Sequence, residues 1–286
     1  MSLLAEIEEF INIHLPMLDR ADQTIIGYQK DLHSFNDWFA DHTNVVPELK
    51  NITYKHIEAY LYYLKVKRNY ADASRLRHLH TLSSFMKYAI REEKILINPC
   101  EKVSKFSVSK KVRDSLTEEE VQELINSSSG IGYIIICVLY YAGLRISELC
   151  NLKMCDVDFK SNEIKVVNGK GKKDRMVPIS KKLKKIMIRY YENDRPENIE
   201  YFIGSKRTGQ VKQCYARYLM KKEVKKLGWK KNITCHNLRH SFATNLRKNG
   251  VDLVQIQKLL GHASLRTTEI YLHITNEELH EAVDVL

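Results

Sequence analysis

The sequence predicts a mainly α protein of the α+β class. A helical N-terminal domain precedes an α-rich second domain that carries one small antiparallel β-sheet. Three observations lead there. Apolar residues recur at three- and four-residue steps from the N-terminus onward, and only one pair of β-branched runs, around Asn168-Gly169-Lys170-Gly171, has strand character. A chain of 286 residues with 44% hydrophobic content is also long enough to bury two separate cores.

Taken in order, the first helix runs roughly from Leu3 to His14 and stops at Pro16, whose ring removes a helix donor. From Thr24, the residues Ile25, Tyr28, Leu32, Phe35 and Phe39 form one helical face. Thr53 caps a helix bearing Ile57, Tyr60, Leu61 and Leu64. Leu76, Leu79, Ser83, Met86 and Ile90 mark another, expected to end near Asn98-Pro99 because proline disfavours helix before it. Four amphipathic helices on short connections make a small bundle, residues 1–104. Residues 105–116 lose the periodicity and read as a basic linker with Lys105, Lys110 and Lys111.

The second domain, 117–286, opens on Thr117-Glu118-Glu119-Glu120, a capping box. The apolar stretch from Ile131 to Leu144 holds 14 residues, too few to span a bilayer, and reads as a buried helix ended by Gly143. Glu163–Val167 and Arg175–Ile179 form a hairpin around the glycine-containing loop. Helices follow at about 180–193, 211–227, 236–249, 252–260, 264–273 and 276–284.

Charge is unevenly placed. Residues 1–108 balance 14 basic against 14 acidic groups, so residues 109–286, with 32 against 21, hold the whole net charge of +11. Within the neutral half, Lys65, Lys67, Arg68, Arg75, Arg77, Lys87 and Arg91 face only Asp72 between positions 65 and 91. Such segregation favours a polyanion as partner, nucleic acid first. The N-terminus lacks the basic and apolar regions of a signal peptide, so a cytoplasmic protein is expected, with no membrane partner. Its six cysteines form no C-x-x-C pair, which argues against zinc and for small buried hydrophobes.

Several residues suit metal-free phosphoryl transfer. Arg145 follows the Gly143 turn, and Glu148, three residues on, is placed to hold its guanidinium for bidentate phosphate binding. Lys170, Lys172 and Lys173 share the hairpin tip, and spacing alone does not choose among them. His236 and Arg239 share a helix face in what reads as a first turn, where anions are favoured, so His236 can move a proton while Arg239 binds phosphate. His236 and His240 have metal-ligand spacing, but Asn237 replaces the general base of H-E-x-x-H and no third ligand is apparent, so no metal or other cofactor is expected. His262 follows Gly261, and Tyr271 is one of 16 tyrosines.

Joined in order, Gly143-Leu144-Arg145-Ile146-Ser147-Glu148-Leu149, a hairpin lysine, His236-x-x-Arg239, Leu259-Leu260-Gly261-His262 and Tyr271 closely resemble the tyrosine site-specific recombinases of the phage integrase family. Thr24, Tyr28, Asp31-Leu32, Phe35 and Trp38 resemble, more loosely, that family's core-site-binding domain. With no further module ahead of the helical domain, the likeness is to the simpler Xer-like or transposon-resolvase types.

The resemblance implies that Tyr271 attacks the scissile phosphate to form a 3′-phosphotyrosyl link, with neither metal nor ATP. Arg145 and Arg239 would clamp the non-bridging oxygens, Lys170 would protonate the leaving 5′-oxygen, and His236 would act as acid/base. His262 would hydrogen-bond the phosphate, with Glu148 orienting these groups from behind. It also implies a C-shaped clamp on double-stranded DNA, and a homotetramer on two sites that passes through a Holliday junction, with room for accessory proteins. A C-terminal helix, 275–286, would dock on a neighbouring protomer. Phosphates would be met by Lys65, Lys67, Arg68, Arg75, Arg77, Lys105, Lys110, Lys111, Lys172 and Lys173. The alternatives are a type IB-like topoisomerase, which shares the chemistry, and a catalytically silent DNA-binding protein.

Overall fold

Helix termini organise the first half of the chain, and local chemistry sets most of them. A computed structural model describes residues 2–44, 46–104, 106–107, 115–167 and 174–261. The chain forms two compact units, Met1–Lys111 and Val112–Leu286.

In the first unit α1 (Leu3–Glu9) starts at Ser2, whose hydroxyl accepts from the Ala5 N–H at 3.3 Å. It continues through a π turn, Phe10–His14, into α2 (Leu15–Met17), so the helix passes Pro16 instead of stopping before it. The wider π turn, with Leu15 N–H bonded back to Phe10 O, loosens the ladder where the proline ring would strike the preceding turn. Next come α3 (Asp22–Thr43), closed by Asn44 in the left-handed region, and α4 (Tyr54–Val66), begun at Thr53 with His56 completing the cap.

The helix α5 (Asp72–Arg91) ends well short of Asn98-Pro99. Glu93 adopts φ +57° and the Lys94 N–H turns back to Ala89 O at 2.8 Å, while the Lys94 ammonium reaches Glu6 and Glu9 of the first helix. That ion cluster, absent from any local pattern, terminates the helix before proline can. Phe10, Leu32, Phe35, Tyr60, Leu61, Phe85 and Met86 fill the core of this four-rod bundle.

In the second unit α6 (Glu118–Ser127) begins with the reciprocal Thr117–Glu120 cap, at 3.3 and 3.0 Å. The helix α7 (Gly130–Tyr141) is buried almost continuously from Ile134 to Tyr140 and so lies at the centre of its unit. After the short α8 (Ile146–Asn151), strands β1 (Val157–Asp158), β2 (Glu163–Val166) and β3 (Arg175–Pro178) form an antiparallel sheet in that order. Ile164 faces Val177 and Val166 faces Arg175 across β2 and β3. The two-residue β1 is too short to have a periodicity of its own.

There follow α9 (Lys181–Arg189), which runs into a π turn at Tyr190–Asp194, then α10 (Gln213–Lys226), α11 (Cys235–Lys248) and α12 (Leu253–Leu260). Three of these, α9, α10 and α11, pack on α7. The helices expected at 264–273 and 276–284 lie outside the described residues. Cys155 and Cys214 are exposed, in a surface 3-10 turn and the first turn of α10, whereas the other four cysteines are buried as expected. Among the described residues no helix is long and apolar enough to cross a membrane.

Candidate active site

The site is built from the ends of helices. Beyond α7, Gly143 takes φ +60°, and a Cβ there would stand 2.5 Å from the Phe242 ring of α11. Only glycine fits both the left-handed turn and that approach. The turn sets Arg145 at the N-cap of α8 and Glu148 three residues on. One Glu148 oxygen accepts from the Arg145 backbone N–H at 2.7 Å, and the other accepts from Arg145 Nη1 at 2.7 Å. Glu148 is therefore helix cap and counter-ion at once, as the i, i+3 spacing predicts.

Two more arginines arrive from distant parts of the chain. Arg175, on β3, grips both Glu148 oxygens in a fork at 2.8 Å each, and its Nε donates to Leu259 O at 3.3 Å. Arg239, 2% exposed, donates from Nη1 to Gly143 O at 2.6 Å and from Nη2 to Leu260 O at 2.5 Å. Its Nη1 stands 3.8 Å from Glu148 Oε2. Burial alone would raise the Glu148 carboxyl pKa. Hydrogen bonds from Arg175 and from the Arg145 backbone, with the charges around them, instead bring it down to about 2. Among the described residues, one carboxylate thus serves three guanidiniums, more positive than negative charge in a mostly buried place. Such an excess is costly unless an anion joins it, so the arrangement is suited to receive a phosphate.

The structure brings Arg145, Glu148 and Arg239 together and leaves His236 exposed at the second position of α11. Arg239 stands in the second turn of that helix, not in its first as the sequence suggests. The N-terminal dipole therefore does not orient it. Carbonyls at the C-terminal ends of α7 and α12 do, and such ends favour a cation. Lys170, His262 and Tyr271 lie outside the described residues, as do Lys105, Lys110, Lys111, Lys172 and Lys173. Among the described residues no group of three or more His, Cys, Asp or Glu comes together to hold a metal ion.

Arg175 is the residue that sequence reasoning missed. A signal existed: it alternates in step with buried Val177, so it occupies an inward register where an arginine needs an anion.

In the first unit, Lys65, Lys67, Arg68 and Arg77 are exposed along α4, the following turn and α5. Arg77 is held by buried Asp31 at 2.5 Å, which also receives Thr81 and contacts His78 at 3.2 Å. Arg75 differs from its neighbours. Its side chain is 11% exposed, bonded to Asp72 at 2.6 Å and Leu61 O at 3.0 Å, and stacked over the Phe106 ring. It packs its own unit together.

Residues 114–278 match the family described as "Phage integrase family", and residues 7–93 match its N-terminal SAM-like domain. The chain belongs to the phage integrase family. Among similar proteins are a tyrosine recombinase of Thermosipho africanus, 34% identical over 98% of this chain and 99% of the relative, and the tyrosine recombinase XerA of Pyrococcus horikoshii, 37% identical over 83% and 89%. A solved Tn1549 transposon integrase in complex with a circular intermediate DNA shares the fold, with a TM-score of 0.82 at 18% identity over the whole of both chains. The protein is accordingly a tyrosine recombinase of Xer-like kind, an enzyme of site-specific DNA cleavage and rejoining. A topoisomerase reading is not favoured, since these relatives are recombinases.

Proposed function

We propose that this recombinase exchanges DNA strands through a 3′-phosphotyrosyl intermediate formed by Tyr271. The observation that carries the reading is the convergence of Arg145, Arg175 and Arg239 on the single buried carboxylate of Glu148. In the proposed reaction the Tyr271 oxygen attacks phosphorus and the bond from phosphorus to the 5′-oxygen breaks. Lys170 gives the leaving oxygen its proton, and His236 accepts the tyrosine proton. Arg145 and Arg239 hold the non-bridging oxygens as charge builds in the transition state, and His262 adds a hydrogen bond. Religation runs the same steps in reverse with the 5′-hydroxyl of the partner strand, so the bond energy is conserved and no nucleotide is consumed.

Residues 1–104 would serve as the core-site-binding domain, 105–116 as a basic linker and 117–286 as the catalytic domain. Lys65, Lys67, Arg68 and Arg77 would meet phosphates from the first domain, and Lys105, Lys110, Lys111, Lys172 and Lys173 from the linker and hairpin. Four protomers on two sites would exchange strands pairwise through a Holliday junction, each placing its 275–286 segment on a neighbour. The work is that of a cytoplasmic, nucleoid-associated enzyme.

The test is a nicked suicide substrate carrying the recombination site. Wild-type protein is expected to form a covalent adduct that survives denaturation, while Tyr271→Phe binds the site equally well and forms none. Adduct formed undiminished by the phenylalanine variant would overturn the assignment.

A further inference from the structure

We infer that Arg175 is a positioning residue for strand cleavage: by holding the Glu148 carboxylate in a fork from β3, it keeps Arg145 and Arg239 arranged to receive the scissile phosphate. The inference rests on the proposed reading of those two arginines as phosphate-binding groups.

Its contacts join three separate elements. Arg175 donates Nη1 and Nη2 to the two oxygens of Glu148, both at 2.8 Å, with the side chains only 12% and 6% exposed. Its Nε reaches Leu259 O, near the end of α12. Its aliphatic stem lies against Gly261, where φ is +62° and a Cβ would stand 2.6 Å from Arg175 Cδ. Across the sheet it is in register with Val166. One side chain therefore ties β3, α8 and the end of α12 to a common point.

The consequence for the phosphate-binding pair is electrostatic and geometric. Oε1 of Glu148 receives Nη1 of both Arg145 and Arg175, so the carboxylate orients Arg145 by a single guanidinium bond without neutralising it alone. If Arg175 were removed, the carboxylate would keep only its bonds to Arg145, from the backbone N–H and the guanidinium, and would shift to make the two-bond fork with that guanidinium, the geometry that such pairs prefer. Arg145 would then be withdrawn from the phosphate. Lysine cannot substitute, because an ammonium is a point charge without the planar fork. Among the described residues, the charged groups facing Glu148 are Arg145 at the start of α8, Arg175 on β3 and Arg239 on α11.

The experiment uses the full chain on a nicked suicide substrate, with single-turnover cleavage and site binding measured separately. Arg175→Lys and Arg175→Ala are expected to slow cleavage about 10- to 100-fold, the scale of a small misplacement of reacting groups, while site affinity stays within about threefold. Their pH–rate profiles are expected to gain an acid limb. The Glu148 carboxyl, now held at about 2, moves up when the fork is lost, so cleavage falls with pH over a range where the wild type stays flat. Adding Glu148→Gln to Arg175→Ala should abolish that limb and slow cleavage no further than Glu148→Gln alone.

Wild-type cleavage rates, equal losses of binding and cleavage, or additive losses in the double variant would each overturn the inference. If Arg175→Ala does not fold by circular dichroism, Arg175→Lys decides. If neither folds, Arg175 is a folding residue and the inference fails. Absence of a covalent adduct from the wild-type protein would instead mark failure of the proposed function, and this inference would fall with it.

Discussion

Replacing Glu148 with glutamine preserves the shape of the side chain but removes the charge that three guanidiniums share. Breaking a buried pair from one side typically costs about 3–5 kcal/mol, because the remaining charges stay behind without compensation. A loss of that order is expected for Glu148→Gln in chemical denaturation at neutral pH. The dependence on pH follows from the depressed carboxyl. Its pKa is about 2 in the folded protein against an ordinary 4.5, so its contribution is fully present above 4.5 and is lost as pH falls from there through about 2. Melting curves of wild type and Glu148→Gln are therefore expected to converge over that acid range. A gap that stays constant down to its lower end would show that the ionised carboxylate is not the source.

At the scale of elements, α11 does more than present His236 and Arg239. Its inner face carries Ser241, whose hydroxyl accepts from the Leu116 N–H at 2.7 Å, and Asn245, which donates to Leu116 O at 3.5 Å and to the Tyr140 hydroxyl at 3.0 Å. The segment entering α6 is thereby fastened to the helix that holds Arg239, and α11 is in turn packed on α7. Ser241→Ala leaves a buried N–H without its acceptor, a penalty of about 1–3 kcal/mol. The expected result is a matching loss of stability, with faster hydrogen exchange at Leu116. Unchanged protection of that amide would show that the segment is held by packing alone.

Across the whole molecule, the net charge of +11 should appear as a salt-dependent affinity for DNA, since each neutralised phosphate releases counterion. Lys65→Ala and Lys67→Ala are each expected to reduce the slope of log K against log salt by about 1, measured by fluorescence anisotropy over a salt series. Arg75→Ala should leave the slope unchanged and lower the melting temperature instead. Its guanidinium is already committed to Asp72, Leu61 O and the Phe106 ring. A slope that fell equally for all three would return Arg75 to the DNA surface.

Legible in the residues alone were the family, the helical character of both units, the capping box at Thr117, the Gly143 turn and the i, i+3 partnership of Arg145 with Glu148. Each of these is written in neighbouring residues or in the order of motifs, and periodicity and capping are local physics. The sequence misplaced the end of α5 because the Lys94 cluster joins residues 85 and more positions apart. It misread the source of Arg239's orientation because the carbonyls of Gly143 and Leu260 stand 96 and 21 positions away. That Arg175 shares the Glu148 carboxylate emerges from the folded chain alone. A buried charge is satisfied by whichever partner the fold delivers, and no local pattern records which that will be.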